Sequence, residues 1–251
     1  LAALQALRDG GVRVIAVTGR PVGWSEPFAL SWPMDAIVAE NGAVALIGPH
    51  GTTVAVDAIN DQNSLQRTPH QRKQLSKLYQ YDAETRQRHF AHLKHVAARI
   101  LREVPGAQLA QDSPGRETDI AVDHSEFTHL SEAQIAQVVA LMRAEGLHAT
   151  VSSIHINGWL GDHNKWQGAC WIARTLLGVD DLRGQQQRWV FIGDSTNDQT
   201  MFEHFTNSVG VANIARFADR LRHLPHYVTP SERGAGFAEM ARALLAQRAG
   251  A

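Results

Sequence analysis

Trp189-Val190-Phe191-Ile192-Gly193-Asp194-Ser195-Thr196-Asn197-Asp198 changes character halfway along. Its first four residues form an unbroken apolar run, which suits a strand covered on both faces of a parallel sheet. Two carboxylates and a carboxamide follow at once. Open α/β sheets bind their ligands beyond the carboxyl ends of the strands, so these polar groups stand where chemistry is expected. Asp194 and Asp198 are hard oxygen donors of the kind Mg²⁺ takes, one or two carboxylates supplemented by water and phosphate. A helix cap is the structural alternative for Asp194, since Met201 and Phe202 begin a helical pattern just beyond it.

Working outward, similar short runs occur at Val12-Arg13-Val14-Ile15-Ala16-Val17, Ala36-Ile37-Val38, Val209-Gly210-Val211 and His226-Tyr227-Val228. Helical patterns separate several of them, beginning with the leucines of Leu1–Leu7, which Gly10-Gly11 bring to a stop. Strand–helix alternation predicts an α/β, doubly wound parallel sheet. Between about residues 50 and 158 the texture differs. Asp82 can cap a helix carrying Phe90, Leu93, Val96, Ile100 and Leu101 on its inner face, and Thr118–Val122 alternates like a half-buried strand. Ser131 and Gln134 make a capping box for a helix with Ile135, Val138, Val139 and Met142 inward. His148–Val151 and Ile154–Ile156 can pair across Ser152-Ser153. This is the pattern of an inserted α+β module with an antiparallel sheet, so the expected division is a core of residues 1–49 and 159–251 and an insertion of 50–158.

Two more segments carry candidate chemistry. Val17-Thr18-Gly19-Arg20 ends a strand in a hydroxyl, a glycine that lets backbone amides approach an anion, and a guanidinium; an ordinary turn is the alternative. Asp162-His163-Asn164-Lys165 opens a helix with Trp166, Ala169, Cys170, Ala173, Leu176 and Leu177 on its apolar face. A cation in a first helical turn opposes the helix dipole by a few tenths of a kcal/mol, so Lys165 is explained if a phosphate or a carboxylate cluster lies before it. Exposed lysines also occur in first turns.

In this order, Thr18, Lys165 and Gly193-Asp194-x-x-Asn197-Asp198 resemble the later motifs of the haloacid-dehalogenase superfamily. Tyr227-Val228-Thr229 with Gly234-Ala235-Gly236 is similar to that family's last core segment. Glu40-Asn41-Gly42-Ala43 resembles the strand exit of its type IIB, Cof-like branch, in which an α+β cap interrupts the core. The resemblance implies a Mg²⁺-dependent phosphatase acting on a small phosphorylated metabolite, a sugar or glycosyl phosphate first, through an aspartyl-phosphate. Thr18, Lys165 and Asp194 would be catalytic. Thr18, Gly19, Arg20, Asn41, Lys165 and Asn197 would hold phosphate, and Asp194 and Asp198 the metal. A phosphomutase, or an inert phosphate-binding relative, would use the same pocket. The family's first motif, Asp-x-Asp-x-Thr on a central strand, would lie before Leu1. Asp9 does not replace it, because it precedes the helix stop at Gly10-Gly11 rather than following a strand. The expectation is a longer enzyme of which Leu1 onward is the later part.

Composition narrows the partners. The 251 residues have a net charge of −1 and 44% apolar residues, which gives no basic field for a nucleic acid or a membrane surface. Cys170 is the single cysteine, so no intrachain disulfide and no cysteine-built zinc site can form, and a cytoplasmic location is expected. No Gly-x-Gly-x-x-Gly supports a dinucleotide site. In the insertion, His70, Arg72, Lys73, Lys77, Arg86 and Arg88 read either as anion ligands or as a solvated basic face. Ser152, Ser153 and His155 read either as cleft residues or as a plain hairpin.

Overall fold

The structure, a computed structural model, describes residues 1–51 and 75–250. Helix α1 (Ala2–Asp9) buries Leu4 and Leu7 and ends at Gly10, with Gly11 at φ +72° turning the chain into β1 (Ile15–Val17). After α2 (Val22–Ser31), β2 (Ala36–Ala39) pairs in parallel with β1, Ile15 opposite Ala36. The sheet then turns antiparallel through β3 (Val44–Ile47) and β4 (Ser76–Tyr79), giving the order β1-β2-β3-β4. Residues 76–79, within the stretch expected to be inserted, thus extend this first sheet.

The cap follows. Helices α3 (Ala83–Glu103) and α4 (Glu132–Ala144) pack on an antiparallel sheet of β5 (Gln108–Leu109), β6 (Asp119–Asp123), β7 (His148–Val151) and β8 (His155–Trp159), in the order β5-β6-β8-β7. Asp82 caps α3 by accepting from the Thr85 amide, and the Ser131–Gln134 capping box forms in both directions. Leu93, Val96 and Ile100 recur at helical spacing and are fully buried with Val138 and Met142, each worth ~1.5–3 kcal/mol of apolar burial. Leu101 does not join them. One residue past Ile100 the helix has rotated by about 100°, which leaves Leu101 44% exposed. β6 also departs from the expected half-buried pattern: all five residues are buried, Asp119 meeting Asn41 of the core and Asp123 accepting from the amides of Ser125, Glu126, Phe127 and Thr128.

The chain then returns through α5 (Lys165–Leu177) to β9 (Phe191–Gly193), α6 (Gln199–His204), β10 (Ser208–Gly210), β11 (Tyr227–Val228) and α7 (Arg233–Ala249). β9, β10 and β11 are parallel, in the order β11-β10-β9. The parallel strands therefore fall into two sheets. β1 pairs on one edge with β2 and β9 on one edge with β10, and the other edge of each has no strand partner among the described residues. Both strands are only half-buried, unlike β2. Val17 of β1 and Phe191 of β9 nevertheless pack on one cluster, Trp166, Ala169 and Ala173 of α5 with Met201 and Phe205. Cys170 is half-buried against the same cluster rather than at its centre. Among the described residues no helix is long and apolar enough to cross a membrane.

Candidate functional site

The carboxyl ends of β1 and β9 and the first turn of α5 open on one cleft of about 290 Å³, roofed by the β7–β8 turn of the cap. Thr18, Gly19, Arg20, Lys165, Asp194 and Asn197 all line it. Thr18 continues β1 by donating its amide to the Val38 carbonyl at 2.8 Å. Its Oγ1 accepts from the Arg20 amide at 3.1 Å, which leaves the hydroxyl proton to be given to a ligand. Gly19 is required by close approach, since a Cβ there would sit 2.9 Å from Asn41 Oδ1.

Lys165 is the best-fixed cation of the site. Asn164 caps α5 by accepting from the Gln167 amide, and Gly42 and Gly168 let the β2 exit pack on that first turn, where a Cβ on Gly168 would meet Gly42 Cα at 2.6 Å. Lys165 is 6% exposed, with Nζ 2.6 Å from Asp198 Oδ1 and 3.1 Å from Asn197 Oδ1. The carboxylate cluster expected before this helix is therefore present. Asp198 Oδ2 accepts from the Asp194 and Ser195 amides at 2.9 and 3.2 Å. Both oxygens of Asp198 thus accept hydrogen bonds, and the side chain is nearly fully buried. It positions Lys165 and the Asp194 loop, and keeps acceptor capacity on Oδ1, which takes Lys165 as its single hydrogen-bond donor among the described residues. Asp194 differs: burial first, and then the Asp198 charge, raise its pKa, against Lys165 and hydrogen bonds from Asn213 and Ser195, the Asn213 Nδ2 lying at 3.4 Å. Two carboxylates close together with one lysine between them form a site that a hard cation at Asp194 would relieve. Among the described residues no cluster of three or more acidic, histidine or cysteine groups could hold a metal on its own.

Arg20 reaches the cleft but is shared. Its guanidinium lies 3.4 Å from Asp112 of the cap and over the Trp24 ring at 5.2 Å. Asn41 lies against Gly19, behind the cleft rather than on its wall. It lines a neighbouring cavity, 3% exposed, and donates to Asp119 Oδ2 at 3.4 Å.

Sequence reading missed the polar seam that joins cap to core. Glu40, at φ +49° and fully buried, accepts from the Val22 amide at 3.0 Å, the Glu117 amide at 3.0 Å, the Thr118 amide at 2.6 Å and Thr118 Oγ1 at 2.5 Å. Burial, and then Asp119, push its pKa up to about 7 against those donors. Arg116 donates to Asp119, Asp112 and the Gly19 carbonyl. Burial also raises the pKa of Asp119, against the pull of Arg116. The one signal in the sequence was Glu40 itself, a charge directly after the buried run Ala36–Ala39.

Of the cap candidates, Ser152, Ser153 and His155 do line the cleft, and His155 Nε2 lies 2.7 Å from Glu126 Oε2. Lys77 is instead paired with Glu26 and Glu117, Arg86 lies over the Tyr79 ring, and Arg88 pairs with Glu84. His70, Arg72 and Lys73 lie outside the described residues.

No family model and no curated protein matches the sequence. Solved structures do match in fold. Protein 0175 of Thermoplasma acidophilum superposes with a TM-score of 0.67 at 11% identity, over 96% of this chain and 87% of that one. Sucrose-phosphatase from Synechocystis sp. PCC6803, solved with sucrose and phosphate, gives 0.63 at 16% identity over 98% and 90%. The subclass IIB sugar phosphatase BT4131, of the HAD superfamily, gives 0.52 at 16% over 97% and 89%. The chain shares the fold of these structures, an α/β core interrupted by an α+β cap.

Proposed function

We propose that this protein is a phosphoric monoester hydrolase that removes phosphate from a small phosphorylated metabolite, a sugar or glycosyl phosphate being the first choice. The observation that carries the reading is the placement of Lys165. It is buried on Asp198 and opens, with Thr18, Asn197 and Asp194, on one cleft roofed by the cap. Fold neighbours that are sugar phosphatases support the substrate class. The division into a core of 1–49 and 159–251 with an inserted stretch of 50–158, of which residues 76–79 join the core sheet, and a cytoplasmic location, belong to the same proposal.

The roles follow from the geometry. The Thr18 hydroxyl and the Gly19 amide donate to phosphoryl oxygens, and the Asn197 amide nitrogen adds a donor, its Oδ1 being held by Lys165 and Ser195. Lys165 offsets negative charge as the phosphoryl group moves, already aligned by its buried partner, so little reorganisation is needed. The β7–β8 turn over the cleft limits water. Mg²⁺ would be held by Asp194, with Asp198 supporting its loop, and when bound would neutralise charge on the phosphoryl oxygens. The accepting carboxylate would stand on a strand seated between β1 and β9. Support for that comes from the edge of each that has no strand partner among the described residues, an arrangement that exposes backbone donors and acceptors unless something fills it. The phosphoryl group would leave the substrate oxygen, bond to that carboxylate, and pass to water.

Incubating protein from its native source with a panel of sugar phosphates and Mg²⁺, followed by analysis of products, tests the proposal. Inorganic phosphate with free sugar is the expected result. An isomeric sugar phosphate would make the protein a phosphomutase. Binding of phosphate without any turnover would make it an inert relative.

A further inference from the structure

A second cavity of about 380 Å³ adjoins the cleft. The cap lines it with Arg143, His148 and Trp159, and the core with Asn164, Gln199 and Thr200. Lys165 and Asn197 belong to the walls of both cavities. Between them stands one bond, Thr196 Oγ1 donating to the Val151 carbonyl at 2.9 Å, with Thr150 on the side of the second cavity and Ser152 on the side of the cleft.

The chemistry of this wall is one-sided. Among the described residues its ionisable groups are Arg143, His148 and Lys165, and no described lining residue is a carboxylate. Lys165 is neutralised by Asp198, but Arg143 has no ion pair or side-chain hydrogen bond among the described residues. The amides are oriented by their other contacts. Asn164 spends its oxygen on the Gln167 amide at 2.9 Å and Gln199 on the Arg222 amide at 2.7 Å, which leaves the NH₂ group of each as a donor. Trp159 supplies an apolar face, with the His148 ring stacked 5.8 Å away at 25°. A guanidinium and fixed amide donors without a competing carboxylate suit an oxyanion, and the ring beside them suits the carbon skeleton that bears it.

We infer that this cavity is a subsite for an oxyanion on the leaving group of the substrate, a carboxylate or a second phosphoryl group. As a leaving-group subsite it rests on the proposed phosphatase reading. Its capacity to bind an oxyanion does not.

The test is calorimetric titration of the full chain with gluconate, with inorganic phosphate and with sorbitol. The same titrations are made on Arg143→Gln, Gln199→Glu and Thr18→Val. Arg143 lies on the surface, so its replacement leaves the fold intact; Gln199→Glu keeps the oxygen that serves Arg222 while placing a negative charge in the wall. The expected result is an oxyanion site that weakens about tenfold or more in each of these two variants and is unchanged in Thr18→Val, with sorbitol at least about tenfold weaker than gluconate. Gluconate alone at that site points to a carboxylate; phosphate at the same site, beside the one sensitive to Thr18, points to a second phosphoryl group. Absence of any site sensitive to Arg143 and Gln199, or sorbitol binding as well as gluconate, overturns the inference. Loss of only the site sensitive to Thr18 would instead count against the phosphatase reading.

Discussion

Replacing Glu40 by Gln should remove a specific part of the protein's pH dependence. Glu40 is fully buried at the seam between core and cap, and its pKa is raised from 4.5 to about 7. The native carboxyl therefore binds its proton more tightly than the unfolded chain does. That stabilisation is complete below 4.5 and is lost as the pH rises through 7. At 1.36 kcal/mol per pKa unit, the loss across this window is about 3 kcal/mol. Gln cannot titrate, so the stability of the wild type relative to Glu40→Gln should fall by about that amount between the two ends of the window. Urea unfolding followed by tryptophan fluorescence, run on both proteins at several pH values across it, measures the difference while the other carboxylates cancel. A wild-type-minus-variant difference that stays constant to within about 0.5 kcal/mol would refute the reasoning, because ordinary surface effects are of that size. It would mean that the four donors around Glu40 hold it ionised in spite of burial.

Other outcomes follow from the same contacts. Asp198→Asn leaves Lys165 buried without its counter-charge, and urea unfolding should show a loss of about 3–5 kcal/mol. Arg116→Met strands Asp119 in the same way, with a loss of similar size, about 3–5 kcal/mol, and a cap that exchanges amide hydrogens faster near Glu117 and Thr118. Ser131→Ala breaks the capping box at the start of α4 and should cost about 1 kcal/mol in the same unfolding experiment, with no effect on phosphate binding.

The parts of the fold that the sequence made legible were those carried by period and punctuation. Asp82, Ser131 and Gln134 announced their helices because a cap is a local contact, formed within four residues of the chain. Thr18, Lys165 and Asp194 were legible for a related reason: each sits at the end of a strand or the start of a helix, and that address alone places them on one side of an α/β sheet. What stayed hidden was the partnership between distant residues. Nothing in the sequence around Arg116 or Asp119 says that they meet Gly19 and Asn41, because that contact exists only once the cap has folded onto the core. The surroundings of Asn41 were hidden on the same account. Its motif puts it near the phosphate candidates in the chain, but the buried Asp119 takes its amide. Asp198 is a further case, since its spacing says nothing of its bonds to Lys165 and to two backbone amides.

In the proposed enzyme Thr18, Lys165, Asp194 and Asn197 form a single phosphoryl cradle completed by Mg²⁺. Calorimetric titration of inorganic phosphate into the full chain, with Mg²⁺ and again with chelator, tests it most directly when repeated on Asn197→Leu and Asp194→Asn. The expected result is a Mg²⁺-enhanced phosphate site, weakened at least about tenfold by Asn197→Leu and stripped of its Mg²⁺ enhancement by Asp194→Asn. Phosphate binding that is indifferent to Mg²⁺ and to both substitutions would contradict it.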